Sequence, residues 1–364
     1  MLLFYELLQV AVGSRETLSR IPTPSEWSDI YDVSQKQSLV GIAFQGLTKL
    51  YSARPELTVE LPSSLKMKWM AMAVDIQRRN SFILEHAREL SRLFAGDGYR
   101  STVLKGVGVS KYYPDPSLRQ GGDIDLWVDA PRGELISYLK SKYKYKVGSV
   151  VVHHADVEIF PDVETEIHFW PSYTYNPFRW LRYRSFFDSC RAECFVRNGD
   201  GYCSPSLRFN SVYLMMHIFR HIYNEGIGLR QLLDYYYLLR KLSPSDRVWA
   251  MSTLRKMGLG KFTAAVMWVI REVFLPSSQS LTDDSDFLLC SPDEKSGRFL
   301  LNEIELAGNF GKWDKRLHRR KGYVGRVVEN LIRLATFFSL SPSEVLLAPV
   351  WKAWHWCWRK VHRY

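Results

Sequence analysis

The stretch Ser101-Thr102-Val103-Leu104-Lys105-Gly106, then Arg119-Gln120-Gly121-Gly122-Asp123-Ile124-Asp125-Leu126-Trp127-Val128, then Thr165-Glu166-Ile167-His168-Phe169-Trp170, decides how the chain is read. β-Branched residues running into glycine at 101–106 predict a strand that passes into a helix near Val107. Residues 123–128 alternate acid and apolar side chains with the two-residue period of a strand, so Asp123 and Asp125 face the same side. Glu166 has apolar neighbours in a later strand and leaves it on the same face as His168. Between these segments, residues 131–143 read as a helix with proline near its start, and strands are expected around 149–160 and 165–170. His153 and His154 are adjacent in the first of those strands and are expected on opposite faces.

Outward from this core the period changes. Residues 2–12, 31–51 and 63–94 carry apolar side chains at helical intervals, with Pro22, Pro24, Pro55 and Pro62 at the breaks. Beyond Pro171 helical spacing returns, most clearly over 209–242, where Gly226 and Gly228 interrupt it. Residues 279–297 are rich in Ser and Asp and are expected to loop out. The expected divisions are a helical N-terminal region (1–97), a strand-containing core (98–170) and a helical C-terminal region with a basic tail (171–364).

The chain has 364 residues, 46% hydrophobic, 24% charged and 14% aromatic, a globular balance that excludes wholesale disorder and collagen-like or coiled-coil classes. Its net charge of +11 is concentrated near the end, where residues 312–364 hold twelve Lys/Arg against three Asp/Glu. Such a tail suits nucleic acid, an anionic membrane surface or an acidic partner, and charge alone does not choose among them. The opening MLLFYELLQVAVGSRE lacks a basic lead and holds Glu6 in its apolar stretch, so it is expected to be a helix of the fold and not an export signal. No apolar run reaches the length that spans a bilayer. Five cysteines without paired spacing read as free thiols of a reducing, cytoplasmic compartment.

Asp123, Asp125 and Glu166 form the informative constellation. Transfer chemistry at phosphorus needs clustered carboxylates that hold divalent ions, neutralise a polyphosphate and activate an attacking oxygen. An isolated Asp-x-Asp is weak evidence, because acids at strand edges or paired with arginine give the same pattern. Here Lys105, Gly106 and a helix start precede it, offering a cation and amide groups to phosphate, and Arg119 and Gly122 stand next to the acids.

At these residues the chain resembles the nucleotidyltransferase superfamily that includes DNA polymerase beta. In particular it is similar to an uncharacterised bacterial group with Leu-Lys-Gly where Gly-Ser is usual. The similarity covers residues 101–170 and extends to GLRQLLDYYYLL in the helical half. It implies an α+β fold, a small mixed sheet with flanking helices, and transfer of a nucleoside monophosphate from a nucleoside triphosphate to an acceptor hydroxyl with release of pyrophosphate. It also implies that Asp123 and Asp125 hold two Mg²⁺, or Mn²⁺ in their place, with Glu166 as third carboxylate and a helper in deprotonating the acceptor. Gly106 then stands in the phosphate-binding turn with Lys105 beside it. Three departures are visible: no Ser follows Gly106, the interval to Asp123 is long, and the third acid is Glu. The acceptor, whether small molecule, protein or RNA, is not specified. Two other classes fit the same residues: an idle nucleotide-binding regulatory module, and a nucleic-acid-binding protein led by the basic tail.

Further candidates carry plainer alternatives. Arg119 is either a phosphate clamp or the partner of a neighbouring aspartate. His168 is read as a nucleotide-site hydrogen-bonding residue, and His153, His154 and His168 together as a weaker zinc candidate. Arg230 either faces the nucleotide or pairs with Asp234 one turn on. His217 and His221, like Cys190 and Cys194, have two-ligand spacing without companions. Trp351, Trp354 and Trp358 form a stripe among basic residues that either packs on the protein or meets a membrane surface or nucleic acid.

Overall fold

The computed structural model describes residues 1–276, 286–316 and 322–362. Four N-terminal helices come first: α1 (Leu2–Val12), α2 (Pro24–Lys36), α3 (Val40–Ala53) and α4 (Ser63–Gly96). A capping box starts α2, in which the Thr23 hydroxyl accepts from the Glu26 amide and Glu26 accepts from the Thr23 amide. The expected single helix over 31–51 is two, because the chain turns at Ser38, whose φ is +56°.

The α+β fold is present. A five-stranded mixed sheet holds β1 (Ser101–Val103), β2 (Asp123–Val128), β3 (Lys146–Val150), β4 (His154–Glu158) and β5 (Glu164–His168) in the order β1-β2-β5-β4-β3. Only β2 and β5 run parallel; the other pairs are antiparallel. Helix α5 (Val107–Ser110) follows β1 and α6 (Arg132–Ser141) follows β2. The strand expected over 149–160 is a hairpin instead: the chain reverses at 151–153, where the Val151 amide donates to the His154 carbonyl. The β-branched run contains no Gly or Pro to mark that reversal, and pairing of β4 with β5 fixes it.

The helical half contains α7 (Pro177–Ser189), α8 (Arg191–Cys194), a small ribbon of β6 (Val196–Arg197) and β7 (Cys203–Ser204), then α9 (Leu207–Asn224), α10 (Leu229–Leu239), α11 (Pro244–Lys256), α12 (Gly260–Phe274), α13 (Glu294–Ala307), α14 (Gly322–Thr336) and α15 (Pro342–Val361). The loop expected over 279–297 therefore ends earlier, at α13, where the Asp293 carboxylate accepts from the Ser296 hydroxyl; its residues 279–285 lie outside the described residues. Residues 317–321 of the basic segment also lie outside them. Among the described residues no helix is long and apolar enough to cross a membrane.

Two apolar cores result. One joins α1–α3 to α9–α13 in a single cluster, tied by hydrogen bonds from Gln9 Nε2 to the Leu275 carbonyl (3.0 Å) and from Gln37 Nε2 to the Ile304 carbonyl (3.2 Å). The other lies under the sheet, where Ile124, Leu126, Ala155, Val157 and Ile167 pack with residues of α4 and α6. Helix α4 serves both, with Trp69, Ala73 and Ile76 in the first core and Ile83, Ala87, Leu90 and Phe94 in the second. The tryptophan stripe of α15 divides: Trp351 stacks on Tyr173 at 4.7 Å, the Arg132 guanidinium lies 4.5 Å from the Trp358 ring, and Trp354 is 49% exposed.

Helix α15 is anchored by a buried ion pair. Glu344 accepts from Arg179 Nη1 at 2.6 Å, from the Thr174 hydroxyl at 2.6 Å and from the Tyr175 amide. Arg179→Ala leaves that carboxylate buried without its countercharge, and a loss of about 3–5 kcal/mol in unfolding free energy is expected by urea denaturation. Glu344→Gln leaves the buried Arg179 guanidinium without its countercharge in turn and should cost a similar amount.

Candidate active site

The register of the sheet assembles the acids. Asp125 pairs with Glu166 across the parallel β2–β5 ladder, and Asp156 and His154 of β4 stand opposite Glu166 and His168. Residues opposite one another share a face, so one face of the sheet carries acids and imidazoles while Ile124, Leu126, Ala155 and Ile167 fill the core behind it. Asp123 and Asp125 share that polar face, as their spacing predicts.

Lys105 bridges the carboxylates, its Nζ 2.7 Å from Asp125 Oδ1 and 3.7 Å from Asp123 Oδ2. His168 Nε2 lies 2.9 Å from Asp125 Oδ1 and 3.1 Å from Glu166 Oε2. Burial alone would raise the Glu166 carboxyl, but Lys105, the His168 hydrogen bond and His154 outweigh it and hold it well below the usual carboxylate range. Burial likewise works to lower the Lys105 ammonium, and Asp125, Asp123 and Glu166 reverse that and raise it.

Arg119 is a strut rather than a free clamp. Its Nε and Nη2 each donate to Asp234 at 2.7 Å in a buried bidentate pair that Tyr113 completes by donating its hydroxyl to Asp234 at 2.6 Å. The partner is thus neither Asp123 nor Asp125 but a residue of α10, and Arg230 is not paired with Asp234. Arg230 Nη1 instead donates to the Gln120 carbonyl at 2.6 Å, and its Nε is buried without a partner among the described residues. Helix α4 supports the same loop from below, where Asn80 Nδ2 donates to the carbonyls of Ser117 and Arg119. At Gly122 a side chain would meet only open space.

The turn after β1 departs from expectation in one respect. Helix α5 is a single turn, and its amides at Gly108, Val109 and Ser110 already donate to the carbonyls of Lys105 and Gly106, so these three are not free for phosphate. Gly106 itself adopts φ +56° and ψ −119°, a conformation that disfavours a Cβ.

The three histidines converge, contrary to the expectation that His153 and His154 separate. His153 precedes β4 in the bend, its carbonyl accepting from the Phe169 and Trp170 amides, so strand alternation does not govern it. Its Nε2 lies 3.1 Å from His154 Nδ1, and His154 Nδ1 is 3.2 Å from Glu166 Oε2. Ligand atoms of His153, His154 and His168 lie within 4.8 Å of one another, as do those of Asp125, Glu166 and His168. His217 and His221 meet edge to face, ring centroids 4.2 Å apart, and burial followed by Arg220 lowers His221 to about 4. Cys190 and Cys194 are buried free thiols, the Cys194 thiol donating to the Cys190 carbonyl.

Opposite the sheet, α9 and α10 form the other wall of a cleft of about 1180 Å³ lined by Lys105, Asp123, Glu166, Arg220, Arg230 and Asp234, among others. That volume admits a nucleotide-sized ligand. Arg220 is the residue that motif reading misses. It donates to His153 Nε2 at 2.6 Å and to His221 Nε2 at 2.8 Å and has no carboxylate partner among the described residues. The available signal was a lone cation in the apolar run 209–224.

The mixed sheet with paired aspartates on its second strand is the architecture of nucleotidyltransferases. Over residues 23–275 the chain matches the model of one of their families, and it belongs to that family, the uncharacterised nucleotidyltransferases. The match runs from before α2 through α12, far beyond the sheet. Among solved structures it is similar to an antigenic nucleotidyltransferase-like protein from Paracoccidioides brasiliensis, with 13% identity, 55% of this chain and 97% of that chain covered, and a TM-score of 0.33. No curated protein matches.

Gly106→Ala should lower stability by about 1–2 kcal/mol through the left-handed backbone alone. The check is a shifted denaturation midpoint at unchanged slope.

Proposed function

We propose that this protein transfers a nucleoside monophosphate from a nucleoside triphosphate to an acceptor hydroxyl, using Asp123, Asp125 and Glu166 to hold divalent cations. The observation that carries the reading is an orphan. Asp125 is 1% exposed, and its Oδ2 has no hydrogen-bond partner among the described residues. A buried carboxylate oxygen left this way is costly and is suited by a cation. The donor set of carboxylates beside an imidazole is chemically fit for a divalent ion.

When bound, Mg²⁺ or Mn²⁺ would neutralise the polyphosphate and polarise the phosphorus under attack. The chain's own residues position the rest. Arg220 and Arg230 face the acids across the cleft without carboxylate partners of their own, and their guanidinium groups suit the phosphates of the donor. Lys105 gives Asp125 and Asp123 a countercharge before cations arrive. Arg119, Asp234 and Tyr113 lock α10 against the loop that carries Gly121 and Gly122. The acceptor hydroxyl gives up its proton, with Glu166 as the nearby base, and its oxygen bonds to the α-phosphorus as the bond to the departing pyrophosphate breaks.

Asp123→Ala and Asp125→Asn should each reduce pyrophosphate release about a hundredfold or more, Asp123→Ala at unchanged melting temperature and Asp125→Asn in a chain that circular dichroism still shows folded. The assay uses purified protein, each labelled nucleoside triphosphate in turn, Mg²⁺ and a cell lysate as acceptor source. Label transfer that survives either substitution rejects the site. Arg220→Gln should raise the KM for the triphosphate about tenfold or more while leaving divalent-ion binding intact.

One observation favours a second reading, the idle nucleotide-binding module: the Lys105 ammonium already gives Asp125 and Asp123 an internal countercation. Calorimetric binding of a triphosphate without pyrophosphate release in the lysate assay would decide for it.

A further inference from the structure

His168 is more than a neighbour of the acids. It stands two residues beyond Glu166 on β5, with 1% of its side chain exposed, and its ring is held from behind. Its Nδ1 lies 3.2 Å from the Trp170 carbonyl. A carbonyl can only accept, so Nδ1 carries a proton and Nε2 is the nitrogen turned toward Asp125 Oδ1 and Glu166 Oε2. Proteins orient metal-ligating histidines in this way, by tying the far ring nitrogen to a backbone carbonyl or carboxylate.

A bare imidazole nitrogen about 3 Å from each of two carboxylate oxygens, the three atoms lying within 4.8 Å of one another, repels them unless a positive centre lies between. A proton on Nε2 meets that need in the cation-free protein. A divalent ion meets it equally well, because donor atoms at about 2.1 Å from a metal stand about 3 Å from each other along the edges of an octahedral shell. The other oxygen of the same carboxylate, Asp125 Oδ2, has no hydrogen-bond partner among the described residues, so Asp125 keeps acceptor capacity that a cation would use.

We infer that His168 Nε2 is a direct ligand of the cation held by Asp125 and Glu166, and that the site therefore selects Mn²⁺ or a similar transition metal over Mg²⁺. Imidazole suits transition metals, whereas Mg²⁺ keeps to oxygen and water. The inference rests on the proposed reading that these two carboxylates bind a cation. His154 touches the same Glu166 oxygen through Nδ1, but that nitrogen also lies 3.1 Å from His153 Nε2, and no contact joins His154 to Asp125 among the described residues. It serves as the control.

The test loads the full chain with Mn²⁺ alone and reads nitrogen couplings to the bound ion by pulsed electron paramagnetic resonance. The expected spectrum shows modulation from a directly bound ¹⁴N, replaced by ¹⁵N when the wild-type chain is made with ¹⁵N-labelled histidine. The coupling is kept in His154→Asn and lost in His168→Asn, which should bind Mn²⁺ about tenfold or more weakly. Mg²⁺ should displace Mn²⁺ from the wild type only at large excess. Bound Mn²⁺ without nitrogen coupling, coupling lost in His154→Asn instead, or no Mn²⁺ binding at all overturns the assignment. Nitrogen-coupled Mn²⁺ in a protein that releases no pyrophosphate leaves the ligand assignment standing and rejects the transfer reaction. Pyrophosphate release with nitrogen-free Mn²⁺ does the reverse.

Discussion

Two carboxylates held on adjacent parallel strands, Asp125 and Glu166, are the constraint around which the rest of the site is arranged. Neighbouring strands lie about 4.8 Å apart, and at that separation in a buried setting like charges repel strongly unless cations intervene. The chain supplies Lys105 and His168 directly on the carboxylates. A second rank of cations on α9 and α10 faces them across the cleft. The arrangement leaves the sheet wall demanding positive charge and the helical wall offering it, a pairing that a polyphosphate with its metal ions satisfies from both sides.

The geometry depends on supports far from the acids in sequence. Asp234 receives Arg119 across 115 residues, and Asn80 of α4 pins the backbone on either side of the same turn. Removing any one of these supports would loosen the loop from which β2 emerges and with it the relative placement of Asp123 and Lys105. Function and stability are therefore coupled in this chain through the buried Arg119–Asp234 pair, which is worth its desolvation only because both carboxylate oxygens are satisfied.

Much of this was legible from residue spacing. The two-residue period of 123–128 gave the shared face of Asp123 and Asp125, and the helical period before residue 97 and after 171 gave the flanking helices. What stayed hidden has a physical reason in each case. The reversal at 151–153 lies in a β-branched run with no turn residue, so the convergence of His153 with His154 depends on strand pairing that local preference does not encode. Arg119 was visible as a cation next to the acids, but its partner Asp234 is fixed only by packing of α10. Arg220 lay in an apolar helix where one charged residue reads as a tolerated exception, and only the fold turns it toward the cleft.

Helix α4 has a consequence for how the molecule comes apart. At 34 residues it is a rod about 50 Å long, one face of whose first half packs into the helical core while one face of its second half packs under the sheet. A break anywhere along it strips apolar surface from both halves at once. The two cores are therefore expected to melt together, and the carboxylate cluster draws rigidity from the length of a single helix rather than from the tightness of either half alone.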